Sequence, residues 1–380
     1  MSTEKNKISL SIPVVGEEEK SALREVIESG WLSMGAKVQA FESEFAARHG
    51  QKSAVAVNSC TAALHLILCA LNIGPGDEVL VPSVTFVATV NAVLYVGATP
   101  VFIDIEDLEH PLISLDNAAA KSSPKTRAVI VMHYGGYVAD VQRWRDFCDS
   151  RGIRFVEDAA HAPLVPGVGR LSDASAFSFF ANKNMSTAEG GMVLSPDEDM
   201  LSSIRRMRGH GMTSDTLVRH RGHAYSYDVT MLGFNYRLDE LRAAVGLVQL
   251  RHLPEWNRKR NALTQLYRRK LASETPSILV PFGKEHTTSA HLMPVLLPEN
   301  SRREGVMDSL RRSGIQSSIH YPPVHLFSYY RELYPGIVLP KSEEFCRREL
   351  SLPLHPALGE TNVGRVVAGL RTALEEGGGQ

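Results

Sequence analysis

The stretch "VQRWRDFCDSRGIRFVEDAA" occupies residues 141–160. Residues 141–152 carry the apolar spacing of an amphipathic helix, closed by Gly152. Residues 153–160 read as a buried strand with two carboxylates at its carboxyl end. The same alternation continues on both sides. Upstream, "SAVAVNS" (53–59) reads as a strand that runs directly into the helical "CTAALHLILCAL" (60–71). "GPGDEVLVP" (74–82) is a turn and a second strand, "TFVATVNAVLYVG" (85–97) a helix, and "TPVFIDI" (99–105) a third strand. "TRAVIVMHYGG" (126–136) is a fourth strand ending in glycines, and "ASAFSFFANK" (174–183) follows downstream as the sixth. Strands alternating with helices predict an α/β fold, a mostly parallel central sheet between helices. Ligands of such sheets bind at the carboxyl ends of strands. Ser59, Asp158 and Lys183 lie at or just past such ends, so residues far apart in sequence are expected to meet in one cleft.

Beyond the sheet the pattern changes. Residues 241–271 are long and helical, with Pro254 expected to kink or interrupt the run. A strand-like 291–298, a helix over 303–314, a short strand over 315–321 and a last helix from about 363 to 374 predict a smaller α+β unit. The expected division is a large α/β domain over 1–250 and a small C-terminal domain over 251–380, with the tail "EEGGGQ" (375–380) disordered. No internal repeat or low-complexity linker is evident.

Bulk properties bound the function. The chain of 380 residues is long enough for two domains, and its 43% hydrophobic and 22% charged residues are ordinary for a globular protein. Lys plus Arg number 41 against 42 Asp plus Glu, a net charge of -1 that argues against nucleic-acid binding. No apolar run is long enough to span a bilayer, and the N-terminus has no secretory h-region. The four cysteines are scattered without metal-ligand spacing, so no metal is expected and a cytoplasmic location fits.

Chemistry concentrates in a few segments. Lys183 stands in "SFFANKNMSTAEGG" (178–191), after Phe177, Phe179 and Phe180 and before Glu189-Gly190-Gly191. A solvated loop lysine explains the charge but not the setting. A partly desolvated lysine that loses its proton and forms a Schiff base explains both. The acid in "VEDAAH" (156–161) reads as a surface residue, a metal ligand or a partner for a buried cation. A pyridine ring used as an electron sink needs its nitrogen protonated, which a fixed carboxylate achieves. Asp158 is preferred over Glu157, because successive strand side chains point to opposite faces. On its own the strand-to-helix turn "NSCTAALHL" (58–66) is better explained by N-capping through Ser59, but beside an acid and a lysine at other strand ends a phosphate at the helix N-terminus is the better account. Ser178 would add a hydroxyl to the same anion. Phe86, opening a helix after the second strand, is either a stacking platform or a core residue.

Together these stretches resemble the DegT/DnrJ/EryC1/StrS family of pyridoxal-phosphate-dependent sugar aminotransferases, in the fold type I class of such enzymes. The resemblance is collinear over nearly the whole chain. It rests on "SGWLSMGAKVQAFESEFAARHG" (29–50), "NSCTAALHL", "EDAAHA", "FSFFANKNMSTAEGG", "GFNYRLDELRAAVG" (233–246), "HYPPVH" (320–325) and "LSLPLHP" (350–356). The resemblance implies pyridoxal 5'-phosphate (PLP) as cofactor, with pyridoxamine phosphate (PMP) carrying nitrogen between two half-reactions. It implies that Lys183 binds the cofactor and shuttles protons, that Asp158 pairs with the ring nitrogen, and that His161 lies near the ring hydroxyl. Phe86 would stack on the ring, and Thr61, Ala62 and Ser178 would hold the phosphate. Asn235 would reach the phosphate of the partner subunit, which implies a homodimer with shared active sites. Arg237 and the loop bearing His320, Tyr321 and His325 would lie near substrate. The expected reaction moves an amino group from L-glutamate or L-glutamine to a keto sugar, nucleotide-linked, or else to a keto-cyclitol. Dehydratases of the family carry histidine at the lysine position, so Lys183 argues against that activity. Two departures from the family pattern are Cys60 for glycine and Tyr236 for serine. "RHRGHAYSYDV" (219–229) reads either as a solvated loop or as an anion anchor built on Arg219 and Arg221.

Overall fold

The computed structural model describes residues 7–213 and 227–377. Two helices, α1 (Glu17–Ser29) and α2 (Ala36–Arg48), precede the sheet region. Then come β1 (Ala54–Val57), α3 (Cys60–Ala70), β2 (Glu78–Pro82), α4 (Val87–Tyr95), β3 (Thr99–Ile103), α5 (Leu115–Lys121) and β4 (Thr126–Met132). They are followed by α6 (Val141–Arg151), β5 (Arg154–Asp158), β6 (Ala174–Ser178), β7 (Gly191–Leu194) and α7 (Glu198–Met207). The seven strands form one sheet in the order β1-β7-β6-β5-β4-β2-β3. All neighbours from β6 to β3 are parallel, and β7 runs antiparallel to both β1 and β6. Alternate residues feed two different cores. Ala128 and Ile130 of β4 join the apolar cluster of α3 and α4, whereas Val129 and Val131 join that of Trp144 and Phe147 on α6. Burial on both faces is why these strands are continuous apolar runs rather than alternating ones.

The strand expected over 174–183 ends at Ser178, and residues 179–190 form a turn that carries Lys183. The chain then returns as β7, a strand without a counterpart among the sequence expectations. Four residues, "GMVL", give too little pattern to read, and their burial comes from two neighbours distant in sequence.

The C-terminal part begins on α8 (Glu240–Glu274), one helix of 35 residues that runs through Pro254 without interruption. It packs against α1, α2 and the last helix, and this packing outweighs the loss of one backbone donor at Pro254. The expected division at 250/251 falls inside α8. After it come β8 (Met293–Leu296), α9 (Arg303–Arg312), α10 (Ser328–Leu333), α11 (Pro340–Arg348), β9 (Glu349–Leu352) and α12 (Glu360–Gly377). β8 and β9 form an antiparallel pair. Residues 315–321 are not a continuous strand. They make isolated bridges, Ile315 with Ile8 and Ser318 with Ser351. Ile8 therefore packs in the core of this C-terminal unit with Ile315, Leu350 and Leu370. The tail expected to be disordered from 375 is helical through Gly377. Glu376 anchors it by accepting from Ser309 Oγ at 2.8 Å and pairing with Arg312 at 3.2 Å. Residues 378–380 of that expectation lie outside the described residues.

Candidate functional site

The sheet register brings the functional stretches together. Gly191, the first residue of β7, pairs with Val57 on one side and with Ser178 on the other. The carboxyl ends of β1 and β6 therefore flank it. β5 lies next to β6, with Asp158 opposite Ala176, and on its other side Asp158 pairs with Met132. Gly191 must be glycine: a Cβ there would stand 2.5 Å from the carbonyl carbon of Ser59 and 2.7 Å from the amide of Cys60. The "EGG" of the lysine segment is thus a packing requirement, which lets β7 slide beneath the start of α3.

A cavity of about 400 Å³ opens above these strand ends. Its wall includes Ser59, Thr61, Phe86, Asp158, His161, Ser178, Lys183, His320 and Tyr321. Lys183 is half-buried on the turn after β6. Burial of its amine pushes its pKa down to about 8, against the nearby Cys60 and Asp158, which favour the charged form. Asp158 is buried; Thr89 Oγ1 of α4 donates to its Oδ2 at 2.7 Å and the amide of Ala160 to its Oδ1 at 3.1 Å. Glu157 points to the other face. Its carboxylate is fully buried, yet hydrogen bonds from His133, Ser172 and Ser175 outweigh the burial and hold it below the usual range. Both its oxygens are engaged away from the cavity, Oε2 also by the amide of Gly169 at 2.9 Å.

Ser59 is the N-cap of α3, and its Oγ accepts the amide of Ala62 at 3.1 Å. The capping reading is therefore correct. It coexists with an anion site, because the first amides of a helix have no intrahelical acceptor and the Ser59 hydroxyl satisfies only that of Ala62. The hydroxyl of Thr61 and that of Ser178 lie on the same wall.

His161 is almost fully buried. Its Nδ1 accepts the amide of Gly135 at 3.2 Å, so in the neutral ring the proton sits on Nε2, which donates to the Tyr321 hydroxyl at 3.1 Å. Burial, with Lys183 and His320 nearby, keeps this ring neutral by lowering its pKa well below the ordinary value. Phe86 is 53% exposed, which removes the core-residue reading. It packs against Tyr321 on the cavity wall with ring centres 5.8 Å apart.

Other expected residues lie elsewhere. His325 is not on the cavity wall. It is buried, with Ser83 Oγ 2.6 Å from Nδ1 and Glu343 3.1 Å from Nε2, so it ties the "HYPPVH" loop to the end of β2 and corrects the expectation of a substrate contact. Asn235 is exposed and Arg237 half-buried, and neither is among the residues of this wall. Arg219 and Arg221 lie outside the described residues. Thr89, Gly135, Phe180 and Asn182 belong to the site without having been singled out. Thr89 and Gly135 act through one hydrogen bond each, and nothing in the pattern of their neighbours announces it. Among the described residues, no group of three or more His, Cys, Asp or Glu is placed to hold a metal ion, and no helix is long and apolar enough to cross a membrane.

The residues present fit PLP. A buried carboxylate, an amine that deprotonates near neutrality and a helix N-terminus cleared by Gly191 share one cavity. Comparison with known proteins points the same way. The sequence profile of the DegT/DnrJ/EryC1/StrS aminotransferase family matches residues 13–371. The chain is 37% identical over 379 residues to the spore coat polysaccharide biosynthesis protein SpsC of Bacillus subtilis, covering 96% of each chain. Among solved structures, the PLP form of Spr1654 from Streptococcus pneumoniae aligns with a TM-score of 0.89 at 29% identity, covering 97% of this chain and 99% of that one. The same protein has been solved in a PMP form. DesI, solved in the presence of its TDP-sugar product, aligns with a TM-score of 0.86 at 31% identity, covering 98% of this chain and 94% of that one.

Proposed function

This chain belongs to the DegT/DnrJ/EryC1/StrS aminotransferase family and is a PLP-dependent sugar aminotransferase of fold type I, and from that premise we propose that it transfers the amino group of L-glutamate or L-glutamine to a nucleotide-linked keto sugar. The carrying observation is the meeting of Lys183, Asp158 and the start of α3 in one cavity, which Phe86 and Tyr321 also line. SpsC, named for polysaccharide biosynthesis, and DesI, with its TDP-sugar product, support an activated sugar as the acceptor.

PLP, and PMP in the other half of the cycle, supplies an electron sink that stabilises negative charge at the carbon bearing the transferred nitrogen. The chain's residues do the rest. The carboxylate of Asp158, oriented by Thr89 and the Ala160 amide, keeps a proton on the ring nitrogen. With the cofactor bound, the Lys183 Nζ would be the group that carries the proton moved during transfer, a task suited to an amine whose pKa is about 8. The amides at the start of α3 and the hydroxyls of Thr61 and Ser178 hold the phosphate. His161 donates from Nε2 to Tyr321, leaving the Tyr321 proton to be donated into the cavity. Phe86 and Tyr321, in contact with each other, would exclude water from the cavity. Asn235, exposed on its own chain, serves the phosphate of the partner site in a cytoplasmic homodimer.

The test is to convert the purified enzyme to its PMP form with glutamate or glutamine. Nucleotide-linked keto sugars, free keto sugars and keto-cyclitols are then offered, and return of the PLP absorbance is followed. A nucleotide-linked sugar is expected to restore it with the highest kcat/KM. Restoration by a keto-cyclitol alone would replace the sugar reading.

A further inference from the structure

Two residues of β9 stand behind His320. Glu349 and Ser351 are both fully buried, whereas the ring of His320 lies on the cavity wall. Ser351 Oγ is 2.6 Å from Glu349 Oε1 and 2.8 Å from His320 Nδ1. The other carboxyl oxygen of Glu349 accepts the backbone N–H of His320 at 2.8 Å. The loop is further held by Tyr134, whose hydroxyl donates to the His320 carbonyl at 2.5 Å.

This string allows two proton arrangements. A serine hydroxyl has one proton and a carboxylate can only accept. With Glu349 charged, Ser351 must donate to it, so His320 Nδ1 must donate to Ser351. Nε2 is then a lone pair. With Glu349 neutral, its proton goes to Ser351, the hydroxyl donates to Nδ1, and Nε2 carries the N–H. We propose that Glu349, acting through Ser351, decides which ring nitrogen of His320 bears the proton, and so whether the cavity offers the acceptor sugar a lone pair or a donor. Glu349 and Ser351 are positioning residues for the acceptor half-reaction, a role that rests on the keto-sugar reading above.

The charged form of Glu349 is the working one. Tyr321, whose hydroxyl accepts from His161, already supplies a donor to this wall, and a sugar hydroxyl needs an acceptor opposite it. Arg303 of α9, Cys346 of α11, Tyr134, Tyr321 and His320 face the carboxyl. Burial raises its pKa to about 8, against the hydrogen bonds from Ser351 and the His320 amide and the charge of Arg303. The carboxylate therefore gains as the pH rises through that value. Burial and the nearby Lys183 lower His320 to about 4, so its ring stays neutral throughout.

Nitrogen-15 NMR of the holoenzyme labelled at histidine, with His320 assigned by loss of its signals in His320→Gln, reads the tautomer directly. In the wild type, the His320 proton is expected to move from Nε2 to Nδ1 as the pH rises. Glu349→Gln donates to Ser351 through its amide nitrogen and accepts the His320 amide through its oxygen. It should hold the proton on Nε2 at every pH. Well above pH 8, where the wild-type carboxyl is charged, its kcat/KM for the acceptor should fall about tenfold below wild type, the worth of one neutral hydrogen bond, the difference closing as the pH falls below 8, while PLP uptake is retained. Ser351→Ala should abolish the pH response of the tautomer. An identical tautomer in wild type and Glu349→Gln across the pH range overturns the proposal, as does an unchanged acceptor kcat/KM in a variant whose tautomer is locked. If the tautomer behaves as expected but no keto sugar is accepted, the proton string stands and the substrate reading fails.

Discussion

Lys183, the proposed catalytic lysine, shows how a setting, more than a residue type, makes an amine reactive. Among the described residues its amine has no carboxylate within salt-bridge distance, and burial lowers its affinity for a proton. With a pKa of about 8, roughly a tenth of the amine is neutral at pH 7, against fewer than one in a thousand for an ordinary lysine. The sign follows from the shift: the neutral, nucleophilic fraction grows as the pH rises through about 8. Uptake of PLP by the cofactor-free chain, followed by absorbance, should therefore accelerate over that range. Lys183→Ala should lose the borohydride-stable attachment of the cofactor and all turnover while keeping its circular dichroism. A borohydride-stable adduct in this variant would assign the role to another lysine. At the same scale, a histidine in a promising loop need not touch substrate. His325 is occupied on both ring nitrogens by Ser83 and Glu343, whereas His320, five residues earlier, keeps one ring edge on the cavity.

Elements in this protein are held by groups from distant parts of the chain. α2 begins at Gly35, which offers no capping side chain. Its first amides are instead taken by Glu240, at the start of α8: Gly35, Lys37 and Val38 donate to its carboxylate at 2.8–2.9 Å. Glu240 is buried, so these bonds are shielded from competing water. Glu240→Ala would strand three amides, and a loss of about 2 kcal/mol is expected from the usual worth of a cap and of buried unsatisfied donors. Urea unfolding should show the midpoint shift with unchanged slope. An unshifted midpoint would mean that water caps α2 as well as the carboxylate does. The same distance effect explains β7. Its place in the sheet depends on β1 and β6, whereas α6 carries its periodicity and its terminal Gly152 within twelve residues.

For the whole molecule, the proposed dimer makes each site the property of two chains. Asn235 is exposed and absent from the wall of its own cavity. If it serves the partner's site, mixing inactive Lys183→Ala with inactive Asn235→Ala restores activity, because one of the two composite sites in each heterodimer is intact. No recovery after demonstrated subunit exchange would exclude sharing. The alternation of helix and strand was legible in the sequence because both faces of the sheet are covered, so each parallel strand announces itself as an apolar run of four to seven residues. The core of the site was equally legible. Asp158 and Lys183 are charges set at the ends of apolar runs, and sequence spacing alone separates Asp158 from Glu157, whose side chain must point the other way. Other features exist only as contacts between remote segments: the antiparallel return of β7, the sequestering of His325, the donation of Gly135 to His161, the cap from Glu240 and the string from Glu349 to His320. Each depends on where hydrogen bonds find their partners, as Gly135 finds His161 26 residues away and Val38 finds Glu240 202 residues away. Local pattern reports which face of an element is buried, but it does not report what that face meets.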